Sequence, residues 1–159
     1  MDVSVDYRDL FSAFNTHKVK YLVVGAYAVG YYAEPRFTKD LDVWVSADEA
    51  NAARVYRALR TFGAPLTALR PHHFTNARMV YQIGVAPIRV DVLMGLPSVN
   101  FAAAWRRRRR STYAGVPIYM ISRIDLIRSK RRAGRAQDRL DLEMLSATPR
   151  RVQRRKAVR

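Results

Sequence analysis

Short apolar stretches with changing period divide the chain into alternating helices and strands. Residues 6–15 (DYRDLFSAFN) set Tyr7, Leu10, Phe11 and Phe14 at helical spacing, which predicts an amphipathic helix. Lys20–Gly25 (KYLVVG) is a short apolar run closed by glycine, the pattern of a buried strand. The composition then changes to AYAVGYYA, the first turns of a helix that Pro35 stops. Asp40–Val45 (DLDVWV) alternates with period 2, a strand with Leu41, Val43 and Val45 on one face. Ser46 and Glu49 have capping-box spacing, so the next helix is predicted to open there and run to Gly63. Strands are predicted at Met79–Ile83 and Ile88–Leu93 with GVAP as their turn, a helix over 97–110, and a strand at Val116–Ile121. Ser122 then caps a helix that Gly134 interrupts, and a second helix follows to Leu145. This order predicts a small mixed β-sheet flanked by helices, with helices at the C-terminal end: an α/β or α+β class.

Length and composition remove several alternatives. At 159 residues the pattern fits one domain, 1–146, followed by a basic, flexible tail, 147–159, that has little to bury. A hydrophobic content of 49% excludes disorder throughout, and the absence of cysteine excludes disulfide scaffolds and thiol nucleophiles. The longest nearly apolar run, Tyr21–Ala33, is 13 residues, short of the roughly 20 that span a bilayer. The N-terminal sequence MDVSVDYRDL is acidic and mixed, unlike a targeting peptide. A soluble cytoplasmic protein without a membrane partner is the expectation.

Charge changes the picture more. The formal net charge is +16, but residues 1–105 carry only +2, Arg106–Arg110 add +5, and residues 123–159 add +9. A near-neutral body with a basic C-terminal third suits a partner rich in phosphate, and a solvated charged face is the alternative. The run Arg106, Arg107, Arg108, Arg109 and Arg110 covers all sides of a helix. With Arg131 and Arg132 it supplies the candidate contacts to a nucleic-acid backbone.

Chemistry concentrates in three aspartates. Side chains at i and i+2 of a strand share a face, so Asp40 and Asp42 lie side by side. Such a pair repels itself unless a cation or proton is shared, which makes it a natural hard-cation site. Asp91 sits in the otherwise apolar run IRVDVL, and it would complete a three-carboxylate cluster if its strand lies beside Asp40–Val45. Upstream, Gly25-Ala26 joins a strand directly to a helix, whose free amides and dipole suit a phosphate. His72-His73 lacks a third ligand at recognisable spacing and reads as a loop at the site mouth. Tyr27, Tyr31 and Tyr32 follow the phosphate turn, where they stack a base or join the core.

These residues carry a resemblance. Gly25-Ala26-Tyr-Ala28, then Arg36-Phe-Thr38-Lys-Asp40-Leu-Asp42, then Asp91 in VDVL resemble the nucleotidyltransferase superfamily of the DNA polymerase β type. The late stretch with Lys130, Arg135, Asp138 and Asp141 is similar to the closing helices of its small bacterial branch of AbiEii/MenT-like toxins. The likeness spans roughly residues 20–145. It implies the nucleotidyltransferase fold and transfer of an NMP from an NTP to a hydroxyl acceptor. Asp40 and Asp42 would ligate two Mg2+ ions, or Mn2+; Asp91 would ligate one and act as base. The nucleotide-binding set would be Gly25, Ala26, Arg36, Thr38, Lys130, Arg135 and Asp138. In that set Arg36 and Lys130 neutralise phosphate, Thr38 shapes the turn, and Asp138 orients Lys130 or touches the nucleoside. The usual Gly-Gly or Gly-Ser is Gly25-Ala26 here, so backbone amides must serve without a hydroxyl. RNA, tRNA especially, is the expected acceptor, with an antitoxin protein as a further partner. Two other readings stay open: a non-catalytic nucleic-acid-binding module that keeps the fold, and, for the late charged residues, a solvated helix surface laced with ion pairs.

Overall fold

Six strands hydrogen-bond in the order β3-β4-β2-β1-β6-β5 in a computed structural model that describes residues 7–33, 40–85 and 88–147. The strands are β1 (Tyr21–Val24), β2 (Asp40–Val45), β3 (Val80–Val85), β4 (Ile88–Leu93), β5 (Arg109–Tyr113) and β6 (Val116–Met120). The helices are α1 (Tyr7–Thr16), α2 (Gly25–Tyr32), α3 (Glu49–Phe62), α4 (Phe101–Arg106), α5 (Arg123–Ala133) and α6 (Ala136–Ala147). Arg36, Thr38 and the expected tail from residue 148 onward lie outside the described residues. No helix among the described residues is long and apolar enough to cross a membrane.

The sheet is mixed for a topological reason. β1 pairs antiparallel with β2, while the neighbours that flank this central pair, β4 on β2 and β6 on β1, run parallel. Two hairpins, β3–β4 and β5–β6, close the edges. The period-2 reading of β2 holds: Leu41, Val43 and Val45 are fully buried, whereas Asp40 and Asp42 are only partly covered. The apolar faces of the helices complete one core around Phe11, Phe14, Tyr21, Trp44 and Leu59. α1 packs on α3, and α5 packs on α6.

One buried polar side chain fixes how β1 enters the sheet. Asn51 is fully buried on α3; its Oδ1 accepts from the Lys20 amide at 2.8 Å, and its Nδ2 donates to the carbonyls of Ser46 at 2.8 Å and Lys20 at 3.1 Å. These bonds join the start of β1 to the end of β2. Asn51→Ala removes these bonds from the Lys20 amide and the Ser46 carbonyl, while the Lys20 carbonyl still accepts from the Ser46 amide, and an expected loss of about 1–3 kcal/mol in chemical denaturation would measure it.

Two sequence expectations are corrected. The capping residue of α3 is Asp48, not Ser46: Asp48 Oδ1 accepts from the Asn51 amide at 2.8 Å, and Ser46 donates its hydroxyl to Asp48 Oδ2 at 2.6 Å. The helix therefore begins two residues after the register the capping box implied. The helix expected over 97–110 is only Phe101–Arg106, and Arg109–Arg110 open strand β5. The two residues between Tyr113 and Val116, Ala114 (φ 47°) and Gly115 (φ 83°), are both left-handed, which is the two-residue turn that closes a hairpin with the natural strand twist. Ser122 caps α5 as expected, accepting from the Asp125 amide at 3.2 Å.

Candidate active site

The register of β2 on β4 places the aspartates. Asp42 stands opposite Asp91, and Asp40 stands opposite Arg89. On both strands the two residues are i and i+2, so four side chains occupy the corners of one patch on one sheet face. Three are carboxylates and the fourth is a guanidinium. The expected adjacency of Asp91 to the pair is present, and Arg89, which sequence reasoning passed over, is part of the same patch.

Arg89 lies 3.5 Å (Nη2) from Asp40 Oδ2 and 3.3 Å (Nε) from Asp91 Oδ1. Burial, then the negative charges of Asp91 and Asp40, push Asp42 up to about 6, against the weaker pull of Lys130 and Arg89. Asp91 is also raised, chiefly by burial, with Arg89 opposing and Asp40 adding. Among the described residues no group of three or more His, Cys, Asp or Glu side chains stands close enough to hold a metal by itself. The carboxylates repel and two of them lean on Arg89, so the expected three-carboxylate cluster is not closed. The donor set still suits a hard, oxygen-seeking cation: Asp91 Oδ1 is buried without a hydrogen-bond partner, and Asp42 is held in a field that favours its neutral form.

The glycine at the head of α2 allows this site. Gly25 has φ +66°, and a Cβ built there would stand 2.1 Å from Asp42 Oδ2. The Asp42 carboxylate thus lies against the first turn of α2, whose N-cap, Val24, makes no side-chain bond to the free amides. Gly25→Ala imposes both a left-handed strain and a clash with a carboxylate. A drop of roughly 2–3 kcal/mol in stability and a displaced Asp42 are expected, read by thermal unfolding.

A cavity of about 480 Å³ opens over the patch, lined among others by Gly25, Asp40, Asp42, Arg89, Asp91, Lys130, Arg135 and Asp138. The structure therefore brings α5 and α6 to the same cavity as the β-strand carboxylates. Of the late charged residues, Lys130, Asp138 and Asp141 are not part of a solvated surface. Lys130 Nζ donates to Asp138 Oδ1 at 3.2 Å and to Asp141 Oδ2 at 2.9 Å, and all three side chains are buried. Arg135 joins through Nε at 2.8 Å from Asp138 Oδ2, yet its side chain is 76% exposed. Burial alone would raise Asp138, but the bonds from Arg135 and Lys130 hold it below the usual carboxylate range.

The arginine run divides into different roles. Arg107 makes a two-pronged pair with the fully buried Asp125 at 3.0 and 2.8 Å, and Arg108 lies 4.0 Å over the Trp105 ring. Arg106, Arg109, Arg110, Arg131 and Arg132 are exposed. His72 and His73 belong to a 3-10 turn, Pro71–Thr75, packed on α3 and not lining the cavity. Tyr32 is core, donating its hydroxyl to the Ile121 carbonyl at 2.5 Å, while Tyr27 and Tyr31 are half-buried.

No protein-family model and no curated protein matches the sequence. Solved structures do. The lincosamide antibiotic adenylyltransferase LnuA, bound to lincomycin, superposes with a TM-score of 0.53 at 15% identity, over 90% of this chain and 98% of that one. A putative nucleotidyltransferase from Thermotoga maritima gives a TM-score of 0.55 at 16% identity, over 86% and 87%. With a six-stranded mixed sheet flanked by helices and near-complete coverage of both chains, this protein has the nucleotidyltransferase fold.

Proposed function

We propose that this chain is a cytoplasmic, divalent-cation-dependent nucleotidyltransferase that moves an NMP from an NTP to a hydroxyl of RNA, tRNA in the first instance. The observation that carries the reading is the cross-strand pair Asp42–Asp91 at the head of α2, inside a cavity also lined by Lys130 and Arg135. Asp40, Asp42 and Asp91 are the residues that would hold Mg2+ or Mn2+, which when bound neutralises phosphate charge and lowers the pKa of the attacking hydroxyl. The amides of α2 and the exposed guanidinium of Arg135 receive the triphosphate. Lys130 already neutralises two carboxylates, so its part is to set the field at Asp42 and to hold Asp138 at the cavity wall.

Asp91 is the base: a raised pKa suits a group that takes a proton. The acceptor oxygen bonds to the α-phosphorus, the α–β phosphoanhydride breaks, pyrophosphate leaves, and the hydroxyl proton passes to Asp91. Arg36 and Thr38 are assigned to the nucleotide by the sequence motif alone.

The acceptor is chosen by charge. Arg106, Arg109, Arg110, Arg131 and Arg132 project from the surface, and such a face favours a polyanion over a cationic small molecule. Within this reading the AbiEii/MenT-like motifs make the protein a toxin whose partner is an antitoxin. LnuA is a lincosamide adenylyltransferase, so lincomycin, a small hydroxylated antibiotic, is the control acceptor.

The test is transfer of label from each NTP to total tRNA with Mg2+, with lincomycin in a parallel arm. Label on tRNA that disappears in Asp42→Asn supports the proposal, and label only on lincomycin redirects it to small acceptors. Absence of transfer to either, with RNA binding indifferent to Mg2+ and NTP, overturns it in favour of a non-catalytic RNA-binding module.

A further inference from the structure

Arg89 has no place in the reaction just described, yet it occupies one corner of the carboxylate patch. Its two partners are the residue directly across the ladder, Asp40, and the i+2 residue on its own strand, Asp91. Neither contact is a well-made bond. The distances are 3.5 and 3.3 Å, and both Arg89 Nε and Asp91 Oδ1 are buried without a hydrogen-bond partner. The side chain is 35% exposed and lines the same cavity. A guanidinium held only by charge, with a buried N–H unsatisfied and open space beside it, is restrained but not locked.

We propose that Arg89 is the resident counter-cation of the carboxylate site, which holds Asp40 and Asp91 until a divalent cation displaces it. The inference rests on the nucleotidyltransferase reading and deepens it. With Arg89 in place, three aspartates carry a net charge of −2 on one face; without it they carry −3. A positive group 3.3–3.5 Å from two of three ligands opposes a second cation directly, so the bare protein binds metal weakly. Once displaced, Arg89 remains in the cavity, where the negative charge of a triphosphate is its natural new partner. Metal and nucleotide then bind with positive coupling, because each relieves what the other must overcome. The device discourages the site from filling before nucleotide is present.

The experiment measures Mn2+ binding by electron paramagnetic resonance on the full chain, with and without a non-hydrolysable ATP analogue. Arg89→Met is expected to bind Mn2+ about tenfold more tightly than wild type in the absence of nucleotide, a factor that allows for solvent screening of a partly exposed charge. Arg89→Lys, which keeps the charge, is expected to stay near wild type, an outcome a merely structural role would not give. The analogue is expected to tighten Mn2+ binding more in wild type than in Arg89→Met. Arg89→Gln provides the uncharged polar alternative should the methionine variant unfold. Equal Mn2+ affinity in wild type and the uncharged variants overturns the proposal and leaves the nucleotidyltransferase reading standing. Failure of every protein, wild type included, to bind Mn2+ even with the analogue overturns both.

Discussion

On the proposed reading, Asp42→Asn is expected to cost nearly all nucleotidyl transfer and, in the metal-free protein, to make the fold more stable. Both effects have one cause. Asp42 is pushed up to about 6 by burial and by the charges of Asp91 and Asp40, so at neutral pH the protein holds a carboxylate where a neutral group would be preferred. A rise of about two units is worth about 3 kcal/mol at most, and partial solvent access reduces that to roughly 1–2 kcal/mol. For a chain of this size the asparagine variant should unfold about 3–6 °C higher at pH 7.5.

The sign with pH follows from the direction of the shift. The folded pKa of Asp42 lies above its unfolded value, so the folded state binds the extra proton between about pH 4 and 6. This group's contribution is therefore most favourable below pH 4 and is lost as pH rises through 6. The gain from Asp42→Asn should be full at pH 7.5 and vanish near pH 4. Transfer should fall on the order of 10³-fold, because the residue facing Asp91 at the head of α2 loses its charge. Divalent cation should raise the melting temperature of wild type and not of the variant. An Asp42→Asn protein that melts below wild type at pH 7.5 contradicts the electrostatic account.

The sequence carried the centre of the site more clearly than its periphery. Asp40 and Asp42 are legible because strand alternation fixes their common face with no tertiary information. Asp91 is legible because a charge inside IRVDVL demands a partner. Arg89 was not seen, since its meaning depends on the β2–β4 register, which periodicity alone does not give. Its position two residues before Asp91 was the available signal. Strand β5 was hidden for a different reason: arginine tolerates a helix, and what ends α4 is Arg107 reaching Asp125, a contact 18 residues away. The Ala114-Gly115 pair, set between Thr112-Tyr113 and a stretch with Val116 and Ile118, was the clue that a hairpin, not a helix, held the end of the run. Burial of Lys130, Asp138 and Asp141 was equally invisible, because charged helices read as solvated until their packing partner is known.

That buried network carries the largest expected effect on stability. Lys130→Met removes the cation shared by Asp138 and Asp141, which are 1% and 0% exposed. Arg135 still bonds Asp138 and Gln137 Nε2 still donates to Asp141 at 2.9 Å, but a positive charge between two buried carboxylates is gone. Breaking a buried pair from one side costs about 3–5 kcal/mol, and the α5–α6 packing should loosen first. The pH dependence should weaken. In wild type, Asp138 is held below the usual range, so its contribution is present above pH 4 and is lost as pH falls through its folded value. In the variant Asp138 keeps only the bonds from Arg135 against its burial, so this contribution to stability above pH 4 should shrink. A double variant, Lys130→Met with Asp141→Leu, removes cation and anion together and should recover part of the loss, which a double-mutant cycle in urea would measure. Because Lys130 also lowers Asp42, its removal should make the metal-free site still less willing to carry charge, and Mn2+ binding should weaken in the variant at temperatures where it remains folded. Full stability in Lys130→Met would mean that the charge network joining the cavity to α6 does not hold the fold together at pH 7.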